Sequence, residues 1–349
     1  MPSSPEIAPE PVGADCLTAA ANPYLFVVGC PRSGTTLLQR MLDHHPQLAV
    51  ANDTHFIPRC IEKTVPEAIP LAVRGADLTL TAELIDAVKS YHRFPRLGLS
   101  PDSVDQAARA SRTYRQFVSA LYAAYAKQHD KALAGEKTPD YVRHIPLLHG
   151  LFPAARIVHI IRDGRDVALS TLEWATAEKG PGKFDLWRTE PVAVCALWWR
   201  WLVGSGREAG RKLSPACYFE VGYEDLLAHV KARLCSLSAF LDLSYSPEMA
   251  AYHEGKSRSQ PGLSAKKAWL PPTQGLRDWR TQMADRDVAL FEALAGDLLA
   301  DLGYDRAFTT FSPEITSRAE SCEHWWHANA APRHGMAEAQ SASGSDLSG

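Results

Sequence analysis

The stretch from Tyr24 to Pro46 constrains the chain more than any other. Tyr24-Leu-Phe-Val-Val28 is an unbroken β-rich apolar run closed by Gly29, the pattern of a strand buried on both faces of a parallel sheet. Thr35 to His45 then sets Leu37, Leu38, Met41 and Leu42 on one face of a helix that Pro46 ends. Related patterns recur downstream. Leu48 to Val50 gives a short strand, Arg156-Ile-Val-His-Ile-Ile161 a fully apolar one with a helix from about 164, and Cys217-Tyr-Phe-Glu-Val221 another. Helices are expected over 79–132, 223–241 and 286–302. Strands alternating with helices predict an α/β chain, a central parallel sheet with helices on both faces.

Composition narrows what such a chain does. Its 349 residues suffice for a closed core, and 46% hydrophobic against 22% charged residues is the balance of a soluble globular protein. Residues 1–22 are expected to form a flexible leader, 23–327 a single domain and 328–349 a disordered tail, because both ends are rich in small and polar residues. With 37 basic and 40 acidic residues the net charge of −3 supplies no field for a nucleic acid, so any anion must be held by a local pocket. Seven cysteines without a CxxC pair argue against a disulfide framework and for a cytoplasmic setting. No signal or anchor is expected, since no early apolar run approaches the roughly 20 residues of a membrane helix. His324-Trp-Trp-His327 offers two imidazoles but no third ligand at regular spacing, so no metal site is expected. Nothing in the sequence specifies a homodimer.

The loop Gly29-Cys-Pro-Arg-Ser-Gly34-Thr35-Thr36 has the spacing of a nucleotide-binding phosphate loop with Thr35 in the lysine position. Without that lysine a triphosphate is poorly neutralised, which weighs against a small-molecule kinase, the main alternative beside a non-catalytic nucleotide-binding module. A compact anion still fits. Gly29 and Gly34 let the backbone approach it, the helix N-terminus contributes its dipole, and Arg32, Ser33, Thr35 and Thr36 add donors.

Pro31-Arg-Ser-Gly-Thr-Thr36 after an apolar strand resembles the 5′-phosphosulfate loop of sulfotransferases that use PAPS (3′-phosphoadenosine 5′-phosphosulfate), which share a P-loop-like fold. The segments Met41-Leu-Asp-His-His-Pro46, Asp53-Thr-His-Phe-Ile-Pro-Arg59, Glu136-Lys-Thr-Pro139, Ile161-Arg-Asp-Gly-Arg-Asp166, Tyr223-Glu-Asp-Leu226 and Leu302-Gly-Tyr-Asp305 are similar to the tyrosylprotein sulfotransferase branch and its bacterial relatives. The resemblance spans residues 24 to about 306 and implies a transferase that moves a sulfuryl group from PAPS to a hydroxyl-bearing acceptor, leaves adenosine 3′,5′-bisphosphate and requires no metal.

It also assigns roles. Arg162 at a strand end and Ser170 on the following helix match the family's 3′-phosphate pocket, a spacing that lets a guanidinium and a hydroxyl share one phosphate. Asp53 falls in the branch's catalytic carboxylate slot, one methylene shorter. His55 is its rival as base, and a β-like stretch there would aim both side chains to one face. Lys137 matches the lysine placed near the bridging oxygen, against the alternative of a solvated loop lysine. Tyr223 is expected near the adenine or in the core. Ser264, Lys266 and Lys267 either reach back to the cofactor or form a solvated basic turn. Trp198-Trp-Arg-Trp201 is read as helix-packing core over an acceptor wall. The acceptor itself, a small molecule, a glycan or a tyrosine, is left open.

Overall fold

The computed structural model describes residues 22–177, 179–254, 271, 273 and 275–330. The apolar run that opens the chain is β1 (Leu25–Val28), flanked on either side in a five-stranded sheet with β2 (Leu48–Asn52), β3 (Leu133–Lys137), β4 (Arg156–Ile161) and β5 (Tyr218–Gly222). The order is β2-β3-β1-β4-β5 and every pairing is parallel. Between β1 and β3 lie α1 (Thr35–Asp43), α2 (Phe56–Thr64), α3 (Ile69–Val73), α4 (Ala82–Ser90), α5 (Pro101–Ala110) and α6 (Tyr114–Gln128). Next come α7 (Ile145–Leu151), α8 (Gly164–Trp174), α9 (Pro191–Gly210), α10 (Tyr223–Ala228) and α11 (Val230–Phe240). The described chain closes with α12 (Trp279–Gln282), α13 (Asp285–Asp301) and α14 (Pro313–Asn329).

The two-residue period of the strands divides the core. Leu25, Val27, Leu48, Val50, Val158 and Ile160 pack with Leu38, Met41 and Leu42 of α1 and with the leucines of α10 and α11. Phe26, Val28, Ala49, Ala51, Ile157 and Ile161 belong to the opposite face, with residues of α2, α6, α8, α9 and α13. The helices therefore cover both faces, as the alternating elements predict.

β3 is the element the sequence does not announce. Leu133-Ala-Gly-Glu-Lys137 has no β-branched residue and ends in two charges, yet it is buried throughout between β1 and β2. Gly135 is what admits it there: a Cβ would lie 2.6 Å from the Leu25 carbonyl oxygen. The expected helix over 223–241 is broken at His229 into α10 and α11. Trp199 is fully buried with its ring centroid 6.0 Å from Phe291, so the tryptophan cluster is core, as read from the sequence. α14 runs to Asn329, past the expected boundary at 327, and Trp326 packs between Phe184 and Trp201.

This topology fixes where a ligand goes. From β1 the chain leaves over one face through α1, and from β4 it leaves over the other through α8 and α9. Adjacent strands whose connections diverge open a crevice at their carboxyl ends, the usual ligand position in open α/β sheets.

Candidate active site

The glycine loop lies at that crevice. Its backbone is held in conformations that ordinary residues avoid: φ is 154° at Gly29, 76° at Arg32 and 89° at Gly34. Gly34 has no tolerable replacement, since a Cβ would sit 2.4 Å from the Tyr223 ring. It is also the N-cap of α1 and supplies no side-chain cap, so the first-turn N–H groups remain available to an anion. Pro31, Thr35 and Thr36 complete the turn, and the fully buried Ser33 hydroxyl finds no hydrogen-bond partner among the described residues. A buried donor left unsatisfied is costly, and a ligand oxygen would relieve it.

Arg162 leaves the neighbouring strand β4 and meets this loop. Its guanidinium stands 4.4 Å over the Tyr223 ring and 3.3 Å from Asp166, with a long 3.5 Å contact to the Arg32 carbonyl oxygen. The Arg162 carbonyl accepts a bond from the Trp199 indole at 3.1 Å, so the tryptophan core anchors the strand end. Arg32 reaches across and donates from Nε to the Ser170 hydroxyl at 2.9 Å. Burial, then the charges of Arg162 and Arg277, lower the Arg32 pKa from its ordinary value. Crowded guanidiniums of one sign favour an anion among them. Tyr223 thus floors the loop and stacks on Arg162, which is more than a core position.

The proton-handling side is built at the ends of β2 and β3. Asp53 and His55 do not form a β-like stretch: both are left-handed, with φ of 63° and 61°. Each such residue costs on the order of 1–3 kcal/mol, so the turn is held by its surroundings. The turn nevertheless brings the two side chains together, His55 Nε2 lying 3.4 Å from Asp53 Oδ1. Lys137 Nζ is 3.6 Å from the same oxygen. Burial works against the Asp53 carboxylate, but Lys137, His55 and Arg93 outweigh it and hold its pKa well below the usual range. Lys137 is 1% exposed and sits on a strand, which removes the solvated-loop alternative. Desolvation lowers its pKa and Asp53 opposes that shift.

Ser264, Lys266 and Lys267 lie outside the described residues. Four neighbours of the site escape sequence reading. Arg96 donates to the Asp53 carbonyl at 3.0 Å and stands 3.6 Å from its carboxylate. Arg277 pairs with Glu173 beside Arg32, and the Trp174 ring lies 5.9 Å from the Arg32 guanidinium. Glu136 is fully buried next to Lys137. Only the position of Glu136 within a quoted motif pointed toward it; Trp174 ends α8, the helix of Ser170, and Arg96 and Arg277 come from segments distant in sequence.

Fold and site together define an α/β protein of the phosphate-loop type whose anion loop has threonine at the lysine position and an arginine within the loop, with a carboxylate, an imidazole and a buried lysine at the neighbouring strand ends. Residues 23–247 match the model of the Sulfotransferase family, and the chain belongs to that family. It is 24% identical over 289 residues to protein-tyrosine sulfotransferase A of Caenorhabditis elegans, covering 81% of this chain and 68% of the relative. Against human protein-tyrosine sulfotransferase 1 the identity is 25% over 291 residues, with 81% of this chain and 70% of the relative covered. Among solved structures, the sulfotransferase domain of the Synechococcus PCC 7002 olefin synthase shares the fold at a TM-score of 0.54 and 21% identity, covering 81% of this chain and 94% of that one. The protein is a sulfotransferase with the P-loop-like fold, which decides between sulfuryl and phosphoryl transfer in favour of the former.

Proposed function

We propose that this sulfotransferase takes the sulfuryl group from PAPS and passes it to a hydroxyl of a small molecule, a glycan or a tyrosine, releasing adenosine 3′,5′-bisphosphate. The observation that carries the donor assignment is the joining of two anion positions in one cluster, Arg32 bonded to Ser170 and Arg162 reaching the Arg32 carbonyl. The unsatisfied Ser33 hydroxyl, the uncapped start of α1 and the partnerless Arg162 Nε among the described residues fit a bisphosphate. When bound, the donor supplies an activated sulfuryl group. Arg32 and the loop N–H groups would hold the 5′ end, and Arg162 and Ser170 the 3′-phosphate. Tyr223, under the loop and against Arg162, would border the nucleoside. Asp53 accepts the acceptor's proton with His55 beside it, and Lys137 supplies positive charge where the leaving oxygen becomes negative. The acceptor class is supported by the names of the tyrosine-modifying relatives and by a carboxylate poised to take a hydroxyl proton. A cytoplasmic setting is part of the proposal, supported by cysteines that are free throughout the described residues.

Titration with adenosine 3′,5′-bisphosphate and with ATP tests the donor assignment, and the bisphosphate is expected to bind more tightly. Arg162→Ala and Ser170→Ala are expected to weaken the bisphosphate about tenfold or more, the scale of a lost charge-assisted bond, while adenosine 5′-phosphate binding changes little. Equal losses for both ligands would assign these residues to structure alone. Turnover is also expected to persist in EDTA, because Arg32, Arg162 and Lys137 provide the compensating charge; inactivation reversed by magnesium would overturn that.

A further inference from the structure

Asp53 and His55, both left-handed, join the end of β2, where the Asp53 N–H still bonds the Lys137 carbonyl at 2.8 Å, to the start of α2, and the Thr54 between them is held from beneath. Glu136 is fully buried, and its Oε1 receives the Thr54 N–H at 3.0 Å, the Thr54 hydroxyl at 2.5 Å and the His55 N–H at 3.3 Å. The Thr138 hydroxyl donates to the same oxygen, and the buried Tyr122 hydroxyl donates to Oε2. Every partner is a donor, as an ionised carboxylate requires. Four of the five bonds come from the base turn or from Thr138, which flanks Lys137 on the far side from Glu136.

We infer that Glu136 is a positioning residue for proton transfer: it clamps the 53–55 turn so that Asp53 Oδ1 stays within reach of both His55 and Lys137. It does not meet the acceptor itself. The assignment rests on Asp53 and His55 being the proton-accepting pair. The essential feature is the acceptor at Oε1, and it depends on reach more than on charge. Glutamine at 136 keeps an oxygen at that place, and Tyr122 can rotate its hydroxyl to accept from the new amide. Aspartate keeps the charge but withdraws it by a methylene, and a misplacement near 1 Å can cost on the order of 10²-fold in rate.

The test compares Glu136→Gln, Glu136→Asp and Glu136→Met. The glutamine variant is expected to keep kcat within about threefold of wild type, whereas the aspartate and methionine variants lose about 10²-fold, with the bisphosphate Kd and the acceptor KM unchanged in all three. The amide protons of Thr54 and His55, read by NMR, should stay near their wild-type shifts in Glu136→Gln and move upfield in the other two. If the methionine variant does not fold, the order of glutamine over aspartate decides alone. Aspartate equal to or better than glutamine overturns the inference, as does a kcat unchanged while both amides shift. A wild-type kcat in Asp53→Asn would instead overturn the base assignment and leave the amide result standing, so the two failures are distinguishable.

Discussion

Arg32→Ala is expected to lower kcat by at least about 10³-fold and to weaken bisphosphate binding, the upper end of what one preorganised donor contributes to a developing charge. The expectation follows from where the side chain is held. Arg32 occupies a left-handed backbone position inside the anion loop, and its guanidinium already spans from the loop to Ser170 across the crevice. Removing it deletes the cation that the loop itself carries and leaves the anion to Arg162, Arg277 and the more distant Lys137. Arg32→Lys should recover little, since a point charge cannot keep the Ser170 bond and face the ligand with a second N–H. Single-turnover kinetics and product titration measure both effects. Wild-type kinetics in Arg32→Ala would remove the loop from the catalytic site.

Asp53→Asn is expected to reduce kcat by at least about 10²-fold with donor affinity near wild type, and His55→Ala to cost less. Lys137 and His55 keep Asp53 ionised far into acid, so an acid limb in the rate profile between pH 6 and 9 would not come from Asp53. The same depression links to stability. A carboxyl whose folded pKa lies below its unfolded value of about 3.8 stabilises the fold above that value and loses the contribution as pH falls through the folded pKa. The stability difference between wild type and Asp53→Asn should therefore be greatest above pH of about 5 and shrink in stronger acid. His55→Ala inactive with Asp53→Asn active across pH 6 to 9 would transfer the base role to the imidazole.

What the sequence disclosed and what it withheld have a common physical cause. The loop of Gly29 to Thr36 and the Arg162–Ser170 pair are contiguous with apolar strands, so their positions follow from local patterning. β3 was hidden because burial between two strands, and not β propensity, makes Leu133–Lys137 a strand, and the same burial turns Lys137 from a surface cation into a site residue. The pairing of Asp53 with His55 was legible, but its cause was not: it arises from a turn of two left-handed residues clamped from below. Arg96 and Arg277 arrive from segments whose own pattern says only that they are basic.

The carboxyl end of every strand contributes to the site: the loop after β1, Asp53 after β2, Lys137 on β3, Arg162 after β4 and Tyr223 after β5. β1 pairs with β3 and β4 and not with its successor in sequence, so the loop made first acquires its partner strands only once residues 133–137 and 156–161 have followed. On a ribosome, the anion loop and its helix would emerge long before Arg162, and the floor under Gly34 later still. A nascent chain therefore has no partial donor pocket to offer, and nucleotide can act on folding only as a late, cooperative lock on the finished sheet.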